Sequence, residues 1–252
     1  MRRLAFVLVL SALTVCAQAP AGAGPNLYSK QKESALGAQL AREIQRNSTP
    51  VNNPAALAYV QQMGAKLAAG MPPQFPFTFA LIEKVQNDPT RGEPISLPGG
   101  FIFVPTTLFL DARDDSEFAG ALAHAMAHVV ARHGTRQATK AELGQLTTIP
   151  LIFYNGDLDQ RRSSSAPVPI SMIQFSRAYE NEADTIAVKA LSDAGYDPGG
   201  LARFINHELP DTTPDKSARI AAIEKTITTL PPPPASDEFR QIQAEIRRQN
   251  RN

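Results

Sequence analysis

Apolar residues recur along this chain mainly at helical spacing, with a few short alternating runs between them. Leu36, Leu40 and Ile44 make one stripe inside 25–47, which begins as a loop and becomes helical. Asn52, Asn53 and Pro54 open a second helix to about Ala69, with Leu57, Val60, Met63, Gly64 and Leu67 inward. Phe77–Glu83 alternates and reads as a strand. Two apolar runs flank Pro98-Gly99-Gly100: Phe101–Val104 is a strand, and Ile95–Leu97 an edge strand, because Pro98 has no N–H for a ladder. Helices are predicted over Glu117–Gly134, Lys140–Tyr154, Ser176–Ala194, Leu201–Leu209, within Pro214–Leu230 (Ile220, Ile223 and Ile227 inward) and over Ser236–Arg248. The pattern is that of an α+β chain, mostly helical, with a small sheet.

Charge adds a negative statement: 25 basic against 24 acidic residues give no electrostatic case for nucleic acid. Arg2 and Arg3 precede an apolar run, Leu4–Val15, of secretory rather than membrane-spanning length, so 1–23 reads as an export signal. An uncleaved anchor and lipid attachment at Cys16 are the alternatives; Val15 is larger than lipidation sites prefer. The expected location is periplasmic or peripheral to a membrane. The expected divisions are this signal, a main domain over 26–230, and 231–252, where Pro231–Pro234 forms a stiff spacer before the last helix. That helix is expected to dock on the body, with a partner-binding tail as the alternative. The polar segment Asn155–Pro169 reads as a surface loop, or as a flap over a cleft.

The candidate chemistry lies in the Glu117–Gly134 helix, EFAGALAHAMAHVVARHG. Asp114, Asp115 and Ser116 are cap candidates, and Gly134 is the expected stop. His124 and His128, four apart, share one helical face and suit one tetrahedral metal ion. Three of the four histidines fall within ten residues, which favours a metal over isolated surface imidazoles. A catalytic zinc needs a third protein ligand and an open position. Glu180 and Asp184 share a face of the Ser176–Ala194 helix, so that one could bind metal while the other orients a histidine; Glu182 points elsewhere and is expected in solvent. In the H-E-x-x-H motif the Glu is the general base, and here that position is Ala125.

LAHAMAHVVARHG resembles the metal-binding segment of the zinc metallopeptidases that include the CAAX prenyl proteases and the periplasmic β-barrel assembly-enhancing protease. SRAYENEAD, SLPGGFIFVPTTLF and AGYDP are similar to three further segments of that family, and the likeness runs over roughly Leu27–Leu230. It implies a zincin-like (gluzincin) fold with two metal-ligand helices, one Zn²⁺ on His124, His128 and Glu180, and Asp184 behind the ligands. Arg219 matches a family Arg, a candidate contact to substrate or transition state. Ile95, Ser96 and Leu97 are the candidate edge to which an extended peptide would add. The resemblance implies unfolded or misassembled envelope proteins as partners. The chain departs from the family at Ala125, at Thr213 where a His is common, and at Pro94-Ile95-Ser96.

Losing a positioned general base costs about 10²–10⁴-fold. Glu117 lies two turns from His124, roughly 10 Å along the axis, and is too far to replace it. The sequence therefore predicts an intact metal site with impaired hydrolysis, a pseudo-protease or binding module. The alternatives are an active protease with another base and a non-enzymatic envelope lipoprotein.

Overall fold

The computed structural model describes residues 21–83, 92–148, 175–209, 215–227 and 234–250. The expected leader lies almost wholly outside them, as do the 155–169 loop, the Thr212–Pro214 turn and most of the polyproline run. Among the described residues, no helix is long and apolar enough to cross a membrane.

The histidine helix lies at the centre. It runs Asp115–Val130 and is buried from Ser116 onward. Alanines make this possible: they favour the helix and let neighbours approach closely. Asp114 is the N-cap, accepting from Ser116 N at 2.8 Å and Glu117 N at 2.9 Å. Two further helices, Arg177–Asp193 and Gly200–Glu208, pack on it. A Cβ at Gly120 would stand 2.7 Å from Leu201 Cα, so glycine sets that crossing.

Gly134 does not stop this helix. Ala131 is the C-cap, Arg132 takes the left-handed conformation at φ 56°, and a new helix, His133–Thr148, starts at once. It therefore begins well before the expected Lys140, and Gly134 lies inside it. A non-glycine residue pays for left-handed backbone with side-chain contacts. Arg132 bonds the buried carboxylate of Glu33 and Tyr28 O, both at 2.6 Å.

In chain order we name the helices α1 Lys30–Asn47, α2 Pro54–Ala69, α3 Thr107–Asp111, α4 Asp115–Val130, α5 His133–Thr148, α6 Arg177–Asp193, α7 Gly200–Glu208, α8 Lys216–Thr226 and α9 Asp237–Gln249. The strands are β1 Thr78–Ile82, β2 Ile95–Leu97 and β3 Phe101–Pro105, in the order β1-β3-β2. β1 runs parallel to β3 (Ala80 opposite Phe103), and β2 antiparallel to it (Ser96 opposite Ile102). Pro98–Gly100 makes the turn, with Gly99 at φ 77°. The outer side of β1 is bonded to Thr49–Val51, Val51 N donating to Leu81 O at 3.0 Å and Glu83 N to Thr49 O at 2.9 Å. β2 is thus the sheet edge without a strand partner among the described residues. Its apolar residues Ile95 and Leu97 pack with Leu40, Ala41 and Ile44 of α1.

The architecture is a mostly helical α+β, zincin-like domain with a small sheet. α9 buries Phe239, Ile242 and Ile246 in the main core, where Phe239 meets Tyr59, Phe109 and Phe118 at ring-centroid distances of 5.8–6.1 Å. Ile223 of α8 is buried, while Ile220 and Ile227 are only partly so.

Candidate metal centre

α4 and α6 face each other so that the two sequence motifs converge. His124 Nε2 lies 3.0 Å from His128 Nε2 and 3.2 Å from Glu180 Oε2, and His128 Nε2 lies 3.8 Å from Glu180 Oε1. Ligand atoms of these three residues all fall within 4.8 Å of one another. Tetrahedral bonds of ~2.0–2.1 Å place neighbouring donors ~3.3 Å apart, and the three distances bracket that value. Two imidazoles and one carboxylate also match the donor chemistry of three-ligand zinc sites with an open position. The residues fit a metal ion without rearrangement.

Each donor is held from behind. His124 Nδ1 lies 3.0 Å from Asp184 Oδ1. Asp184 takes two hydrogen bonds of 2.8 Å from Arg219 of α8, and a third guanidinium nitrogen reaches Glu180 Oε2 at 3.1 Å. Arg219 is buried in this role. His128 turns its Nδ1 to His133 Nδ1 at 2.9 Å, and His133 Nε2 lies 3.2 Å from Glu182 Oε2. This chain is satisfied when His128 donates to His133 and His133 donates to Glu182. The expectation that Glu182 is solvated is corrected here. It is part-buried and also accepts from Arg136 Nη1 and Gly22 N, both at 3.0 Å, because α5 starts early enough to bring His133 and Arg136 beneath α6.

The electrostatics follow from these contacts. Burial disfavours the charged imidazole of His124, but Asp184 and Glu180 outweigh it and raise its pKa to about 9. Burial raises Glu180, yet His124, His128 and Arg219 bring it down to about 2. Asp184 is lowered against burial by Arg219 and His124. Burial lowers His128, and it lowers His133 to about 4 despite Glu182. Two buried imidazoles therefore stay neutral, as metal ligation and the donor chain require.

The donors open into a cavity of about 40 Å³ lined by Glu93, Pro94, Ser96, Ala121, His124, Ala125, His128, Phe175 and Glu180. That is room for an ion and a water molecule. Phe175 stacks on His128 at 4.0 Å between ring centroids, with 18° between planes. The wall at residue 125 is a methyl group, 3% exposed. Glu117 is remote from the donors' open side: His207 Nε2 lies 2.6 Å from its Oε2, which accepts from Arg113 N at 2.9 Å. It serves packing at the start of α4. Sequence reasoning missed Glu93 and Phe175. A lone acid directly ahead of a buried strand was the available signal for Glu93.

Residues 54–227 match the family described as Peptidase family M48. The chain belongs to that family. It is 27% identical over 187 residues to the beta-barrel assembly-enhancing protease of Yersinia pestis, covering 70% of this chain and 37% of the relative. The protein of the same name from Escherichia coli (strain K12) is 26% identical over 188 residues, covering 71% and 38%. The mitochondrial metalloendopeptidase OMA1 of Arabidopsis thaliana is 33% identical over 102 residues, covering 40% of this chain and 20% of the relative. The chain thus spans well under half the length of these relatives.

Proposed function

We propose that this chain is a zinc metalloendopeptidase-family protein of the cell envelope, in which the metal centre is retained and hydrolysis is slowed by Ala125. The convergence of His124, His128 and Glu180 carries this reading. When bound, zinc supplies Lewis-acid polarisation of the scissile carbonyl and an acidified water. Asp184 and His133 fix the rings of His124 and His128, Arg219 fixes Glu180, and Phe175 shields one side from bulk water. Substrate enters as an extended segment of an envelope protein. The position of β2, Ile95–Leu97, at the end of the sheet among the described residues supports this, as does Ser96 in the cavity wall. The basic-then-apolar start of the chain supports export, and the relatives' printed name supports a role linked to beta-barrel assembly.

A second reading, a binding module without turnover, is favoured by the same methyl group. Zinc content and cleavage of unfolded casein separate the two, measured for the chain and for Ala125→Glu. Chelator-sensitive cleavage that rises about 10²–10⁴-fold in Ala125→Glu supports a slowed peptidase. Cleavage by Ala125→Glu alone supports the binding module, and no zinc in either protein overturns both.

A further inference from the structure

Residues 22–28 run along α5 and are held by its side chains. Gly22 N donates to Glu182 Oε1 of α6 at 3.0 Å, and Arg136 Nη2 donates to Ala23 O. Asn26 Nδ2 reaches Thr135 Oγ1 at 2.9 Å, Leu27 N reaches Thr139 Oγ1 at 3.0 Å, and the Tyr28 hydroxyl donates to Glu142 Oε1 at 2.7 Å. Thr135, Thr139 and Glu142 recur at steps of four and three, so one face of α5 is given to this segment. Thr135 and Thr139 are fully buried. Gly22, at φ 80°, lies so close to the end of α4 that a Cβ there would stand 3.4 Å from Ala131 O.

The segment also closes the donor chain behind the metal site. Glu182 Oε2 faces His133 Nε2 at 3.2 Å and Arg136 Nη1 at 3.0 Å, and its other oxygen takes the Gly22 N–H. Arg136 is in turn spread between Glu182, Ala131 O and Ala23 O. Residues 22 and 23 thus hold the Glu182 carboxylate twice, once directly and once through Arg136. His133 passes that constraint to His128, Nδ1 to Nδ1 at 2.9 Å. Without Gly22, the bonds to His133 and Arg136 both fall on one oxygen, and the carboxylate can pivot about it.

We propose that 22–28 is a strap that positions the metal centre, Gly22 fixing Glu182, Glu182 fixing His133 and His133 fixing His128. The inference rests on the metal reading above. It also bears on export. A leader cut after Ala23 would take Gly22 and Ala23 out of the fold, so the functional chain keeps its N-terminus ahead of residue 22. The coupling is reciprocal: the factor that the docked strap adds to zinc affinity is the factor that zinc adds to docking of the strap.

The full chain is produced with its leader and exported, and intact mass reads the N-terminus of the recovered protein. An N-terminus ahead of residue 22 is expected, and a cut after Ala23 overturns the proposal. Zinc dissociation constants come from competition with a chromophoric chelator, for the unmodified chain, Gly22→Pro, Glu182→Ala and the double variant, with melting temperatures as the check of folding. Proline removes the N–H and cannot adopt φ 80°. Gly22→Pro is expected to bind zinc about 3–10-fold more weakly, the worth of one hydrogen bond. In the Glu182→Ala background the same substitution should change affinity by less than about twofold. Unchanged affinity in Gly22→Pro, or an equal loss in both backgrounds, overturns the proposal. A second measurement needs no variant. Hydrogen exchange at 22–28 in the unmodified chain should slow about 3–10-fold on adding zinc, beyond any change at α9. Exchange at 22–28 that zinc leaves unaltered overturns the proposal even where Gly22→Pro does not fold. Absence of zinc from the unmodified chain overturns the metal reading itself, and the role of the strap with it.

Discussion

Arg219 grips Asp184 through two parallel 2.8 Å hydrogen bonds, so α8 is clamped to α6 directly behind His124. A planar fork on a carboxylate is a geometry that lysine cannot reproduce. Arg219→Lys should weaken zinc binding about 10–100-fold while leaving the helices formed. Zinc competition and far-ultraviolet circular dichroism measure the two effects. Unchanged affinity would show that the clamp does not orient the donors.

His133 plays the matching part for His128, with Glu182 as the terminal acceptor. Glu182→Gln leaves the helical frame intact but removes the charge that fixes the direction of donation. Zinc affinity should drop about tenfold or more. Equal affinity in variant and parent would mark Glu182 as a fold residue alone.

The metal-free chain should be most stable near pH 6.5. His124 has its folded pKa raised to about 9, so its contribution is full below the unfolded value and is lost between about 6.5 and 9. His133 has its folded pKa lowered to about 4, so the unfolded state binds the extra proton first. Stability therefore falls as pH drops from about 6.5 toward 4. Melting temperatures in chelator across this range test both limbs. With zinc the alkaline limb should vanish, because deprotonated imidazole is the form that binds. A flat alkaline limb without zinc would contradict the contacts assigned to His124.

α9 is part of the core. Phe239→Ala removes a fully buried ring from the cluster with Tyr59, Phe109 and Phe118, and should destabilise the chain by about 3–5 kcal/mol. Denaturant unfolding measures this, and a loss under about 1 kcal/mol would mean that α9 is a detachable tail.

Much of this arrangement was legible before any coordinates. The spacing of His124 and His128 required a shared helical face, and the four-residue step from Glu180 to Asp184 gave a second one. Both motifs sit on long periodic segments, where local pattern and packing agree. What the chain concealed depends on tertiary contact. Gly134 looks like a helix stop because glycine tolerates left-handed backbone, yet Arg132 takes that conformation since Glu33, a hundred residues away in sequence, is there to hold it. Glu182 reads as a solvent residue on a helical wheel, and only the early start of α5 brings His133 and Arg136 to it. Glu93 escaped notice because its place in the cavity wall comes from the fold, and no sequence pattern links it to the histidine helix.

The most direct test is metal content per chain after exhaustive dialysis, for the unmodified protein, His128→Ala and Glu180→Gln. One zinc per chain is expected in the first, with sharp loss in both variants while the fold persists. Zinc absent from the unmodified protein, or retained equally by all three, would contradict a single ion shared by His124, His128 and Glu180.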